Sequence, residues 1–326
     1  VKVHILDDYF DTLRKLPSFG RLAGHEVTVW TDKPSGEAAL ADRLKDAEAL
    51  VLFRDRTQIT DSLVDKLPAL RLVAMRSAYP NVDVEALTRR NILFCSNMHA
   101  GTPSIAAAEL TFALMLDAAR DLHGQISSIR SGNWQSGVGR SLNGRTLGLY
   151  GYGRIARVVA GYAKAFGMNV IWWASEAGRR KAVSDGETVA ESRQAFFAAP
   201  DYVSVHKRMT PETRGEITLE DLSSMRSDAV FVNTSRAALV APGALLEALK
   251  IGRPGRAAID VYEQEPVHDP NHSLVSHPKV IPTPHIGFVT EDELDVQFAD
   301  IYDIVNAYAD GNPIHMINPE IRTQSG

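Results

Sequence analysis

Over roughly the first hundred residues, short apolar runs alternate with polar stretches of helical period. The runs "VKVHIL", "EVTVW", "ALVLF", "LRLVAM" and "ILFCS" are bounded by polar or Pro/Gly segments, and the stretches between them repeat as helices do, for example "EALTRR". This alternation predicts α/β structure with a parallel sheet. After Asn97 the rhythm changes, and "TPSIAAAELTFALMLDAARDLHGQISSIRSG" reads as one long helix, with Pro103 in its first turn and Gly132 near its stop. A second series follows: "TLGLYG", "NVIWWA", "YVSVH", "AVFVNTS", "AAIDV" and "VIPTP". Near-continuous apolar runs of this kind mark strands covered on both faces by helices. Finally, "TEDELDVQFADIYDIVNAYADG" is an amphipathic helix ending at Gly311. The first series has few apolar partners of its own, so this helix is expected to return to it and make that domain discontinuous.

Composition narrows the classes. A chain of 326 residues, 44% hydrophobic and 23% charged, is long enough for two cores. A net charge of −5 gives no overall basic field for nucleic acid or an anionic membrane, so neither partner is expected. The longest apolar stretch is interrupted by Glu109 and Asp117, and the chain starts on a charged strand rather than a signal peptide, so a soluble cytoplasmic protein is expected. The lone Cys95, in "NILFCSN", excludes an intramolecular disulfide and a thiolate-rich metal site; it reads as a core thiol, and no metal is expected.

The segment "TLGLYGYGRIARVVAGYAKAFG" carries the chemistry of a dinucleotide loop between a strand and a helix. Gly151 permits the tight turn, Gly153 lets backbone approach a pyrophosphate, and Ala156 serves as the close-packing third position. The acid that normally binds the adenosine ribose is missing, because the next strand ends in Ala174 and Ser175. Glu176 stands slightly late for that role. Arg179, Arg180 and Lys181 are candidates for a ribose 2'-phosphate, with a solvated helix start as the alternative.

The segments "LGLYGYGRIARVVA", "SVHKRMTPETRGEI", "AVFVNTSRAALVAPGALLEAL", "AAIDVYEQEP" and "PTPHIGFVT" together resemble the D-isomer-specific 2-hydroxyacid dehydrogenase family along most of the chain. The resemblance implies two doubly wound parallel-sheet α/β domains (Rossmann/flavodoxin-like), the nucleotide domain inserted into the substrate domain. The expected boundaries are 1–98 with 286–326 for the substrate and catalytic domain, and 99–285 for the dinucleotide-binding domain. It also implies a homodimer, with the long helix from Pro103 contributing to the interface and the linker.

By the same resemblance, Arg236 would pair with the carboxylate and carbonyl of a 2-oxo acid, a task suited to a planar, permanently charged fork. His285 would exchange a proton with the carbonyl oxygen, and Glu265 would hold the far ring nitrogen. A Gln in place of Glu265 would have pointed to the related formate dehydrogenases. Cofactor contacts are expected at Gly151, Gly153, Arg154, Ile155, Ser175, Thr234 and Asp260, the last placed for the nicotinamide carboxamide or, alternatively, capping nearby amides. Lys207 and Arg208 depart from the family's usual small residue and proline; with Arg179 and Arg180 they lean the cofactor expectation toward NADPH over NADH.

The substrate loop departs too. "MRSAYPNVD" replaces a glycine-rich turn, so the backbone N–H groups of Ser77 and Ala78 are expected to meet a carboxylate, with Tyr79 narrowing the pocket. His99 replaces a more usual proline and reads as structural. No regulatory domain is expected after residue 326. The implied activity is reduction of small 2-oxo acids by NAD(P)H, as in glyoxylate and hydroxypyruvate reductases. The competing class is a nucleotide-sensing, corepressor-like interaction protein on the same fold.

Overall fold

In the computed structural model, which describes residues 1–98 and 105–324, the chain separates into two compact units, Val1–Thr102 with Thr290–Gly326, and Pro103–Val289. The first unit holds β1 (Lys2–Ile5), β2 (Glu26–Val29), β3 (Ala49–Val51), β4 (Leu72–Arg76) and β5 (Leu93–Asn97). All are parallel, in the order β2-β1-β3-β4-β5, the flavodoxin-like arrangement.

The helix Glu291–Ala309 returns to this sheet and packs along β4 and β5. Its buried side has Leu294, Phe298, Ile301, Tyr302 and Val305, with Phe298 meeting Phe53 at 5.0 Å between ring centroids. Thr290 caps its start by accepting the Glu293 N–H at 3.2 Å, and Glu291, Asp292 and Glu293 face the positive end of the helix dipole. Cys95 is fully buried in β5, and burial pushes its thiol up to about 12, which suits a core role.

The second unit holds β6 (Thr146–Tyr150), β7 (Asn169–Trp173), β8 (Tyr202–Val205), β9 (Val230–Asn233), β10 (Arg256–Ile259) and β11 (Val280–Pro282). They form a parallel sheet in the order β11-β10-β9-β8-β6-β7. A lone parallel bridge from Trp172 to Val189 lies on the free edge of β7. Counted as a strand, it restores the Rossmann order, reduced there to one residue because "ETVAES" lacks an apolar run to extend it.

The single long helix expected after Asn97 is instead two, Ile105–Arg120 and Leu122–Arg130; Pro103 lies outside the described residues. Asp121 takes a left-handed conformation, φ 52° and ψ 47°, which ends the first helix. Arg256 holds that stop by donating to the Ala118 carbonyl at 3.3 Å and the Asp121 carboxylate at 2.9 Å. Hydrophobic periodicity carries no trace of such a distant capping contact. Among the described residues no helix is long and apolar enough to cross a membrane.

Candidate active site

The nucleotide loop is shaped first by its neighbour in the sheet. Gly151 has φ +114°, and a Cβ there would lie 2.6 Å from the His206 carbonyl oxygen, so only glycine lets the turn pass the end of β8. Gly153 starts the helix Arg154–Ala165 with no side chain capping it. A Cβ at Gly153 would meet only that same oxygen, at 3.9 Å. The first-turn N–H groups therefore stand without a capping side chain at the positive end of a 12-residue helix, which fits a dinucleotide's pyrophosphate. Gly153 and Arg154 are exposed, Ile155 packs half-buried on the core, and Ala156 is fully buried as its packing role requires.

The sheet order places the carboxyl ends of β9, β10 and β11 side by side. After β9, the buried Asn233 side chain accepts the Ser235 N–H and donates to the Arg236 carbonyl, both at 3.0 Å. This brace leaves the Arg236 side chain exposed. Its guanidinium donates to the Ser235 carbonyl at 2.7 Å and, among the described residues, pairs with no carboxylate. After β10, Glu265 accepts the Tyr262 N–H at 2.9 Å through one oxygen and meets His285 Nδ1 at 2.5 Å through the other. That contact fixes the ring and leaves Nε2 as the nitrogen available for proton exchange.

His285 itself has φ +54°, the left-handed region, in the loop that follows β11. Asp260 secures this loop. Its fully buried carboxylate accepts the Thr283 hydroxyl at 2.6 Å and the Ile286 N–H at 2.8 Å on one oxygen, and the Gly287 N–H at 2.8 Å on the other. Burial pushes the Asp260 carboxyl above its ordinary value, while these three donors and the nearby His285 pull the other way. Of the two roles expected of Asp260, the structure displays the capping of nearby amides, those of the His285 loop, from a position with no exposed surface. Thr234, half-buried after β9, has its hydroxyl 2.7 Å from that of Thr111 on the helix Ile105–Arg120. Sequence reasoning missed Thr111, whose one signal was a threonine on the buried face of an apolar helix.

The cations assigned to the adenosine side are mostly engaged. Lys207 Nζ meets both oxygens of Glu216, at 2.5 and 2.7 Å, and Glu216 also accepts the Tyr150 hydroxyl. Arg193 donates to Tyr150 at 2.6 Å and to both oxygens of Asp221 at 2.8 Å. Burial and then Glu216 push the Tyr150 phenol up, so it stays neutral and the cluster's two cations balance its two carboxylates. Lys207 thus faces a carboxylate of its own domain, which revises its assignment to the cofactor. Arg180 pairs with Glu176 at 2.7 Å, and Lys181 with Asp185. Ser175 caps its helix by accepting the Gly178 N–H at 3.3 Å. Arg179 lies over the Trp173 ring at 4.3 Å and donates to the Ala174 carbonyl at 2.6 Å. Arg208 is exposed.

In the first unit, Ser77 has φ +81° and its N–H donates to the Asn97 carbonyl at 3.2 Å, so it does not serve a substrate carboxylate as expected. Ala78 is exposed. The Tyr79 ring packs edge-on to Phe94 at 5.0 Å, joining the core of its unit instead of capping a pocket. His99 lies outside the described residues.

Residues 112–287 match the family model described as "D-isomer specific 2-hydroxyacid dehydrogenase, NAD binding domain". The chain is 36% identical over 296 residues to the D-3-phosphoglycerate dehydrogenase of Methanocaldococcus jannaschii, covering 90% of this chain but only 54%, about half, of that relative. It is 36% identical over 313 residues to the glyoxylate reductase of Aeropyrum pernix, covering 91% of each. Among solved structures, an oxidoreductase from Ralstonia solanacearum superposes with a TM-score of 0.92 and 41% identity, over 98% of this chain and 97% of that one.

Proposed function

The chain belongs to the D-isomer specific 2-hydroxyacid dehydrogenase family, and from that premise we propose that it is a nicotinamide-dependent oxidoreductase interconverting small 2-oxo acids and D-2-hydroxy acids. The observation that carries this reading is the Glu265–His285 contact at 2.5 Å, on a strand end two places along the sheet from the exposed Arg236, which pairs with no carboxylate among the described residues.

The bound cofactor supplies the hydride in reduction and accepts it in oxidation. In reduction, Arg236 holds the substrate carboxylate and reacting carbonyl, and His285 Nε2 gives its proton to the carbonyl oxygen as negative charge develops there. Glu265 keeps the ring oriented and balances the imidazolium that this step requires. Oxidation runs the same proton back to a neutral His285. The uncapped helix start after Gly153, with Arg154 and Ile155 in its first turn, would hold the pyrophosphate, and Thr234 would stand near the nicotinamide.

The second unit serves as the dinucleotide domain and the first as the substrate domain, where the N–H of the exposed residue Ala78 is the amide of its loop proposed to meet a carboxylate. Glyoxylate is the substrate favoured by the Aeropyrum relative's name and its match over 91% of both chains, and hydroxypyruvate is kept beside it as a 2-oxo acid of similar size. For the cofactor, Arg179 and Arg208 are the cations left to meet a 2'-phosphate, which supports at most a slight NADPH preference. A homodimer is supported by exposed apolar side chains on the second helix and the segment after it, Ile126, Ile129, Trp134 and Val138.

The experiment is a panel of 2-oxo acids (glyoxylate, hydroxypyruvate, pyruvate, phenylpyruvate) assayed with NADH and with NADPH. Loss of the reduced-nicotinamide absorbance with at least one acid is the expected result; binding of cofactor without turnover of any would favour a nucleotide-sensing role instead.

A further inference from the structure

Glu265 and His285 stand on loops that follow different strands, β10 and β11, and a contact of 2.5 Å between them needs those loops held in register. Tyr262 bonds to both loops. Its backbone N–H donates to Glu265 Oε1 at 2.9 Å, which leaves the other oxygen, Oε2, to His285 Nδ1. Its hydroxyl crosses to the second loop and donates to the Thr283 carbonyl at 3.1 Å. That same carbonyl accepts the backbone N–H of His285, also at 3.1 Å, and so closes the tight turn over Pro284. A carbonyl oxygen has two lone pairs, so one acceptor serves both donors. The bonds form a circuit: from the imidazole to Glu265, through Tyr262 to Thr283, and back to the backbone of His285.

His285 needs such support, because a φ of +54° is one that a histidine keeps only where its surroundings impose it. Asp260 holds this loop from the buried side, through the Thr283 hydroxyl and the N–H groups of Ile286 and Gly287. None of those bonds reaches Glu265, so the registration of carboxylate against ring falls to Tyr262. The Tyr262 ring is half-buried; it packs on the core of its unit, meets the His272 ring edge-on at 5.9 Å, and borders a cavity of about 190 Å³ shared with Val240, Leu245 and Leu274. With open space on one side, packing alone does not fix where the hydroxyl lies, and the bond to Thr283 does. Burial, followed by Asp260 and Glu265, pushes the phenol up to about 12, so it keeps the proton that it donates.

We propose that Tyr262 is a positioning residue for the proton transfer: by bridging Glu265 and the Thr283 carbonyl it keeps the carboxylate against His285 Nδ1 and leaves Nε2 free for the substrate. The role rests on the reading of His285 as the acid–base group, and Tyr262 acts through Glu265 and His285.

The test is Tyr262→Phe, which removes the hydroxyl and keeps both the half-buried ring and the backbone N–H. For reduction of a 2-oxo acid that wild type turns over, kcat is expected to fall roughly three- to tenfold, about one hydrogen bond, with KM and cofactor affinity unchanged. Because the carboxylate then spends less time against the ring, the imidazolium loses part of its support, and the His285 transition in kcat/KM is expected to move to lower pH by roughly half a unit. Asp260 keeps its three donors in this variant, so its charge does not account for the shift. The same transition is read without turnover from the His285 ring resonance, assigned by its loss in His285→Ala, in pH titrations followed by NMR. A merely structural tyrosine would lower the unfolding midpoint of Tyr262→Phe while leaving kcat and the transition at their wild-type values, and that result overturns the proposal. A wild type that turns over none of the acids would instead refute the functional reading, and the resonance alone then decides whether Tyr262 positions the pair.

Discussion

The carboxyl edge of the second unit's sheet carries ionisable side chains at both ends, and the two ends hold them in opposite ways. On β9 to β11, buried polar groups serve as braces: Asn233 shapes the turn before Arg236, and Asp260 ties down the loop of His285. The side chains they support, Arg236 and the Glu265–His285 pair, stay turned toward what can be bound. On β6 to β8, Lys207 is neutralised by Glu216, and Arg193 by Asp221. Among the cations assigned from the sequence, Arg236 is left by the fold without a carboxylate partner among the described residues, whereas Lys207 is given one.

The largest contrast between the two ends should come from His285. His285→Ala is expected to lower kcat by roughly a hundredfold or more, the usual contribution of a positioned acid–base group, with cofactor affinity retained. Steady-state rates alongside a cofactor titration check this; a folded variant with wild-type kcat would move the chemistry elsewhere.

Arg236→Lys keeps the charge and loses the fork, so kcat/KM is expected to fall at least roughly tenfold, equivalent to about 1.4 kcal/mol, with little change in cofactor affinity. Near wild-type turnover by the folded variant would remove Arg236 from substrate binding.

Asp260→Asn tests the brace itself. An amide can replace only part of a carboxylate accepting from three donors, so a loss of at least about 1 kcal/mol of stability and a drop in kcat are expected. The pH dependence has a definite sign. Because the folded-state value of Asp260 is raised by burial, the folded state binds its proton more tightly than the unfolded chain does. Asp260's pH-linked contribution is therefore fully present below the unfolded value and is lost as pH rises through the folded one. Denaturant titrations across the acidic range should show the difference in stability between wild type and Asp260→Asn shrinking as pH rises; a difference that stays constant with pH would contradict the assignment.

The smallest effect is expected at the other end. Glu216→Gln releases Lys207, and the affinity ratio for NADPH over NADH should rise by roughly two- to fivefold, the size of one partly exposed charge contact. An unchanged ratio in direct binding measurements would mean that Lys207 does not reach the 2'-phosphate even when freed.

These differences also mark what the sequence could disclose. Each quoted apolar run became a strand, because burial on both faces of a parallel sheet leaves an unbroken apolar signature. The return of the helix Glu291–Ala309 was legible for a related reason: its apolar face needed a partner. The break at Asp121 was not, since it depends on Arg256, 135 residues away. In the site, the family resemblance singled out Glu265 and His285, which the structure brings into contact. Motifs did not disclose that Tyr79 belongs to a core, or that Lys207 has a carboxylate waiting for it. Those are properties of pairing across the fold, which a list of charges does not encode.

The central claim is that His285, held by Glu265, carries the reaction's proton. Reduction requires its imidazole protonated and oxidation requires it neutral, so the two directions must favour opposite sides of one ionisation. The decisive measurement is kcat/KM for both directions across pH, at saturating cofactor, in wild type and His285→Ala. The account predicts that in wild type reduction falls and oxidation rises with pH, each through the ionisation of His285 in its own cofactor complex, and that both transitions are missing from the residual rates of the variant. A transition that persists unchanged in His285→Ala would show that another group carries the proton.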